Sequence, residues 1–146
     1  MKARQQGFTL VEVVVVIVIL GILAAVAIPR YASYTKEARI AVLNGLAGGM
    51  RSSVAVVQGR YVALGTNATP VTMLDGTTVG VGTGATTGGV PLSTAGGIDN
   101  AVNVAGTFTY TAGALTGTFD FPTAVANCSV TYTAATGVVT VTSTGC

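Results

Sequence analysis

The chain has 146 residues, of which 50% are hydrophobic and only 8% are charged. This composition allows one globular domain plus a long apolar helix, and it is unlike that of a disordered protein. His is absent, so the commonest general base and metal ligand is missing, and no grouping of the remaining acids and cysteines replaces it. We therefore predict a protein that is not an enzyme and that has no catalytic residues, cofactor or metal site.

Charge separates the middle of the chain from its C-terminal part. Residues 30–60 carry five basic side chains and one acid, which gives +4, whereas residues 61–146 carry three Asp and no Lys or Arg, which gives −3. A segment without cations is badly suited to phosphate backbones. We expect no nucleic-acid binding by this C-terminal part.

The dominant feature is the apolar run 8–28, in which Glu12 is the single charged residue. At about 1.5 Å per residue, a helix of this length just crosses the hydrocarbon core of a bilayer. The preceding leader, 1–7, carries Lys2 and Arg4. Basic residues before an apolar run indicate an export signal whose N-terminus stays in the cytoplasm.

Two ordinary interpretations of this run leave something unexplained. A secretory signal could be cut after Ala27, but such signals rarely hold a carboxylate, and Pro29 would stand just beyond the cut. A plain membrane anchor explains the length and orientation. It leaves Glu12 unexplained, because an ionisable group in hydrocarbon costs on the order of 3 kcal/mol.

A third interpretation rests on the string GFTLVE at positions 7–12, followed by the uncharged run and Pro29. This pattern resembles the class III signal of type IV pilins of the type IVa kind. The resemblance implies that a prepilin peptidase cuts after Gly7 and methylates the new N-terminal residue, Phe8. It also implies that Glu12 neutralises the terminal amine of a neighbouring subunit and so sets the register of assembly.

Elementary chemistry is consistent with that pairing. The amine that cleavage would leave on Phe8 has an unperturbed pKa near 7.7 to 8.0, so it is mostly cationic at neutral pH. Glu12 would lie close to the positive end of the helix dipole. Gly21 and Pro29 are the poor helix formers of the run, and we expect the helix between them to be its compliant section.

Beyond Pro29, an amphipathic helix is predicted over 29–61, because apolar residues recur every three or four positions. We expect this stripe to pack against the head. Its members are Ile40, Leu43, Ala47, Met50, Val54, Val57 and Tyr61.

The head, 62–146, begins with a loop-rich stretch to about residue 100, with a turn at 74–76 and a short strand near 77–81. Four runs of β-branched and aromatic residues then predict an antiparallel meander: 102–111, 114–121, 129–133 and 138–143. Its expected core aromatics are Phe108, Tyr110, Phe119, Phe121 and Tyr132.

The two cysteines, Cys128 and Cys146, form an even pair in an exported chain and therefore predict a disulfide, the alternative being two reduced, buried thiols. The resemblance supports the disulfide, since pilin heads end in a disulfide-bounded loop.

Together these features predict an α+β type IV pilin fold, in which a long N-terminal helix with a protruding apolar half packs on a roughly four-stranded antiparallel sheet. The resemblance implies a structural subunit that is held in the bacterial inner membrane and polymerises into a helical surface filament through the pilus assembly machinery. A pseudopilin of a type II secretion system is the alternative within this class. A binding module secreted after cleavage at Ala27 is the alternative outside it.

Overall fold

The computed structural model describes residues 8–65, 68–84, 87–104 and 106–146. The chain divides into two compact units, Met1–Glu37 and Ala38–Cys146, referred to below as the N-terminal and C-terminal units. Helix α1, Leu10–Leu64, contributes residues to both. The predicted leader, including Gly7, lies outside the described residues.

In the N-terminal unit, α1 contains an apolar stretch long enough to cross a membrane. Leu10–Ile28 has a mean hydropathy of 3.1, and none of it is buried. A second stretch, Tyr34–Leu64, passes the same test of length and composition at a mean hydropathy of 1.4, but 33% of it is buried. Its buried face belongs to the core of the C-terminal unit, so the second stretch is better explained as a core helix.

The core of the C-terminal unit is built on the predicted stripe of α1. Leu43, Ala47 and Met50 have no exposed surface, and Val54, Val57 and Tyr61 are also buried. Ile40, the first member of the stripe, is only partly buried. The amphipathic periodicity therefore located the buried face of the helix correctly from Leu43 onward.

A four-stranded antiparallel sheet supplies the opposite side of this core. Its strands are β3 (Thr109–Thr111), β4 (Thr116–Asp120), β5 (Ser129–Thr133) and β6 (Val138–Thr142), paired in that order. Inward and outward side chains alternate, as a sheet with one buried face requires. Phe119, Val130 and Tyr132 are fully buried on the inner face, which confirms the α+β arrangement and the meander.

The other predicted core aromatics pack around this centre. Phe108, Tyr110 and Phe121 are partly buried against the main cluster. Ring centroids lie 4.5 Å apart between Tyr110 and Phe119, and 5.2 Å apart between Phe108 and Phe121. These distances are typical of favourable aromatic pairs.

A small second sheet forms between α1 and the meander in the sequence. Strands β1 (Val71–Thr72) and β2 (Thr78–Val79) pair antiparallel around the turn that was predicted at 74–76. The backbone N–H of Met73 donates to the carbonyl of Thr77 at 2.8 Å, and the N–H of Thr77 donates to Asp75 Oδ1 at 2.9 Å. The bond from the Thr77 backbone N–H, together with a hydrogen bond from the Thr77 side chain, lowers the pKa of the Asp75 carboxyl.

The first strand of the meander is much shorter than predicted. Over 102–104 and 106–108 the prediction of a strand is wrong. Helix α2, Ile98–Ala101, ends at the start of this stretch, with the N–H of Val102 donating to the carbonyl of Ile98. A turn follows, with Gly106 at φ +80° and the N–H of Thr107 donating to Val104. The valines of this stretch suit a strand, but tertiary burial of Val102 decides the conformation instead.

The predicted disulfide between Cys128 and Cys146 is confirmed. The two Cα atoms lie 4.9 Å apart, and Cys128 is fully buried at the start of β5. The N–H of Gly145 donates to the carbonyl of Asn127 at 3.0 Å beside it. The bridge thus holds the C-terminal residues against the loop that precedes β5.

Candidate functional site: the N-terminal assembly segment

The start of α1 is organised by a reciprocal hydrogen-bond pair between Thr9 and Glu12. The Thr9 backbone N–H and hydroxyl donate to Glu12 Oε2 at 2.9 and 2.8 Å, and the Glu12 N–H donates weakly to Thr9 Oγ1 at 3.4 Å. Thr9 stands just before the first helical residue, Leu10. This is a capping box, the arrangement in which Thr-x-x-Glu satisfies donors that a helix N-terminus otherwise leaves unpaired.

The capping box gives the single carboxylate of the apolar run a defined position. Glu12 lies in the first turn of α1, where a negative charge complements the helix dipole. Both Thr9 bonds go to Oε2, so neither of them uses Oε1. Thr9 was not among the residues predicted from the sequence, although Thr-x-x-Glu spacing before an apolar run is the known signal of a capping box.

Around this polar pair, the segment presents large apolar side chains to its surroundings. Phe8 is 82% exposed, and the other large hydrophobic residues up to Ile28 are exposed by 44% or more. So much apolar surface is far beyond what an isolated water-soluble subunit leaves uncovered. The segment therefore requires a lipid or protein environment.

The remaining predicted site residues lie along the same helix. Gly21 is helical, and a Cβ built on it would meet nothing within 4 Å. Position 29 also lies inside α1, so the helix runs continuously through the section 21–29 that was expected to be compliant. Gly7, the residue before the predicted cut, is outside the described part of the chain.

Glu12 is the single ionisable side chain of the segment 8–28. Within the described ranges, no group of three or more Cys, Asp or Glu side chains could hold a metal ion. What the segment offers is one positioned carboxylate at the start of a long apolar surface.

Comparison with known proteins finds a family match over this segment. Residues 2–28 match the family described as the prokaryotic N-terminal methylation motif. The chain is 43% identical over 54 residues to the type IV major fimbrial protein FimA of Dichelobacter nodosus, covering 37% of this chain and 35% of that protein. It is 50% identical over 54 residues to the type IV major pilin protein PilE1 of Neisseria gonorrhoeae, covering 37% of this chain and 33% of that protein.

These matches confirm the resemblance to type IV pilins, and each match to a relative covers 37% of the chain. The matched segment spans only about a third of the length of these relatives. No solved structure matches the chain.

Proposed function

We propose that this chain, which resembles type IV pilins over 54 residues, is a structural subunit of a type IV pilus. In this proposal a prepilin peptidase removes residues 1–7 and methylates the amine of Phe8. The subunit is held in the inner membrane and is then polymerised by the assembly machinery into a filament on the cell surface. It acts by assembling with copies of itself and catalyses no reaction.

The observation that carries the proposal is the position of Glu12. It is the single charged side chain in the run 8–28, and the capping box holds it in the first turn of an otherwise apolar, exposed helix. A cut after Gly7 would create a cationic amine four residues before it. In a bundle of apolar helices, pairing Glu12 of one subunit with the Phe8 amine of the next specifies one register among many.

The proposal divides the chain by role. Residues 1–7 are the leader, 8–28 the segment that lies first in the membrane and then in the filament core, 29–61 the continuing helix and 62–146 the head. The section 21–29 is helical in this structure, and we expect its backbone hydrogen bonding to change when subunits pack together. Gly21 and Pro29 are the residues that lower the cost of such a change.

The head supports a pilus over the alternative, a pseudopilin of a type II secretion system. The supporting observation is the disulfide Cys128–Cys146, which closes a C-terminal loop of the kind that pilin heads have. The relatives reported above are also named as a major pilin and a major fimbrial protein.

The mass of the mature N-terminus tests the proposal. We expect a chain that begins at Phe8 and carries one extra methyl group. A chain beginning at Ile28 would instead support the secreted module, and an intact Met1 the plain anchor. Sheared surface filaments containing this chain would support the pilus, whereas processed chain without surface filaments would support the pseudopilin.

A further inference from the structure

The basic and acidic side chains of the C-terminal two thirds of the chain lie on different elements. The basic side chains that the structure describes are all on α1: Lys36, Arg39, Arg51 and Arg60. Arg51 and Arg60 each donate to a backbone carbonyl of the C-terminal unit, at 3.0 and 3.2 Å. Lys36 is exposed and Arg39 is partly buried, and within the described ranges neither side chain has an ion pair or a hydrogen bond. The described part of one subunit thus leaves both of these cations unpaired.

Two of the three aspartates that follow α1 line one cavity of the C-terminal unit. The cavity has a volume of about 530 Å³ and lies between the β1–β2 hairpin, α2 and the start of β3. Asp75 and Asp99 are its charged residues, and no Lys or Arg is among the described residues that line it. Hydrogen bonds from Thr77 lower the pKa of the Asp75 carboxyl, so this group is anionic at neutral pH. A cleft lined by charges of one sign attracts the opposite charge.

Asp99 has a partner for only one of its two carboxylate oxygens. Its Oδ2 accepts the N–H of Gly96 at 3.1 Å. Its Oδ1 is buried, and it accepts no hydrogen bond from the described part of the chain. A buried carboxylate oxygen without a partner is costly, and native proteins rarely keep one. The cavity therefore requires a positive charge that its own lining does not supply.

A side chain from another copy supplies that charge better than a metal ion does. Among the described residues, no group of three or more Cys, Asp or Glu could hold a metal ion, so the cavity offers two carboxylates only. A lysine ammonium needs no such cage, because it is a compact charge with three donors on a long flexible stem. Lys36 is an exposed lysine of this kind, and Arg39 follows it by three positions, on the same side of the helix.

We infer that Lys36 of one copy of this chain inserts between Asp75 and Asp99 of a second copy. The two charged surfaces are complementary, with two cations on α1 facing two carboxylates on the head. Because the lysine and the cavity are different surfaces of the chain, the contact is heterologous and propagates into an open helical assembly. The contact joins copies, so the inference rests on the proposed filament function.

Reversing the charge at position 36 tests the contact in the full-length chain, expressed with its assembly machinery. Lys36→Glu should lower the yield of sheared filaments by at least about tenfold, because it places a third carboxylate beside two others. Adding Asp75→Lys exchanges the two charges and should restore the yield to within about threefold of wild type. Adding Asp120→Lys instead gives the same net charge outside the cavity and should restore nothing. Normal yield from Lys36→Glu, or equal restoration by both second changes, would overturn the contact.

A crosslink in assembled filaments identifies the partner directly. The chain has two lysines, Lys2 and Lys36, and the proposed cleavage removes Lys2. A water-soluble carbodiimide joins an amine to a carboxylate that touches it, so wild-type filaments should give a covalent dimer in which Lys36 is linked to Asp75 or Asp99. Filaments of Lys36→Arg, which keeps the charge but has no amine, should lack this dimer.

The outcomes of this crosslinking separate the contact from the filament itself. Filaments in which Lys36 links only to other carboxylates, or to none, would overturn the contact alone. Filaments without the Lys36 link that fall apart when divalent cations are chelated would assign the cavity to a metal ion and would also overturn the contact. No filaments from the wild-type chain would overturn both the contact and the proposed function.

Discussion

Opening the Cys128–Cys146 disulfide is expected to destabilise the C-terminal unit by about 3 kcal/mol. The two residues are 18 apart in sequence, and cross-linking a loop of that size removes chain entropy from the unfolded state worth about 3 kcal/mol at 25 °C. A small domain has a total stability of only about 5 to 15 kcal/mol. The bridge therefore supplies a large share of the stability of this head.

The assay is urea unfolding of the full chain in detergent micelles, followed by the near-ultraviolet circular dichroism of the buried tyrosines. With a urea dependence of about 1 to 3 kcal/mol per molar, the midpoint of the reduced chain should fall by roughly 1 to 3 M. The double variant Cys128→Ala with Cys146→Ala should unfold at or below that midpoint, since it also leaves space at a fully buried position. Equal midpoints for the oxidised and reduced chains would refute this reasoning.

Three further perturbations have expected outcomes. Thr9→Val removes the hydroxyl that Thr9 contributes to the capping box and should lower the stability of the helix N-terminus by about 1 kcal/mol. The expected sign is faster amide exchange in the first turn of α1, which Thr9→Ser should not show. Tyr132→Phe leaves the buried carbonyl of Pro91 without its 2.6 Å donor and should cost about 1 to 3 kcal/mol in urea unfolding; an unchanged midpoint would contradict this. Burial, and secondarily the charge of Asp99, raise the pKa of Tyr110 to about 12. The tyrosine of an unfolded chain has a pKa near 10, so burial of the neutral Tyr110 contributes stability that is fully present below about pH 10 and is lost as the pH rises from about 10 to 12. The urea midpoint should therefore decrease over that pH interval, and a constant midpoint would contradict this.

The helix and most of the meander could be predicted because their signals are local. Hydropathy locates the apolar run, and apolar residues at a helical period of 3.6 locate the buried stripe from Leu43 to Tyr61. Strands β5 and β6 begin at the residues where the alternating strand pattern begins in the sequence. Each of these elements is long enough for its periodicity to be visible in the sequence.

The elements that were missed are short or are decided by distant contacts. Strand β1 has two residues and α2 has four, too few for any periodicity to appear. The bonds of Ser93 to Gly113 and of Tyr132 to Pro91 join positions 20 and 41 residues apart. These bonds determine where the loops lie, and no pattern in the sequence predicts them.

At the candidate site, sequence identified Glu12 from its cost in an apolar run. Its partner within the chain, Thr9, was not predicted, although the two residues have the spacing of a capping box. In the single subunit, Glu12 is already hydrogen-bonded to Thr9. In the proposed assembly, a second subunit would therefore meet a carboxylate that is already held in place.

The central claim, that Glu12 directs assembly rather than membrane insertion or folding, is tested most directly by the filament yield of Glu12→Ala. We expect this variant to reach the membrane and to form its disulfide, while sheared filaments fall by at least about tenfold, as loss of one partner of a buried charge pair implies. Glu37→Ala, which removes the other glutamate of the chain, is the matched control and should assemble normally. Filaments in normal yield from Glu12→Ala would contradict the account.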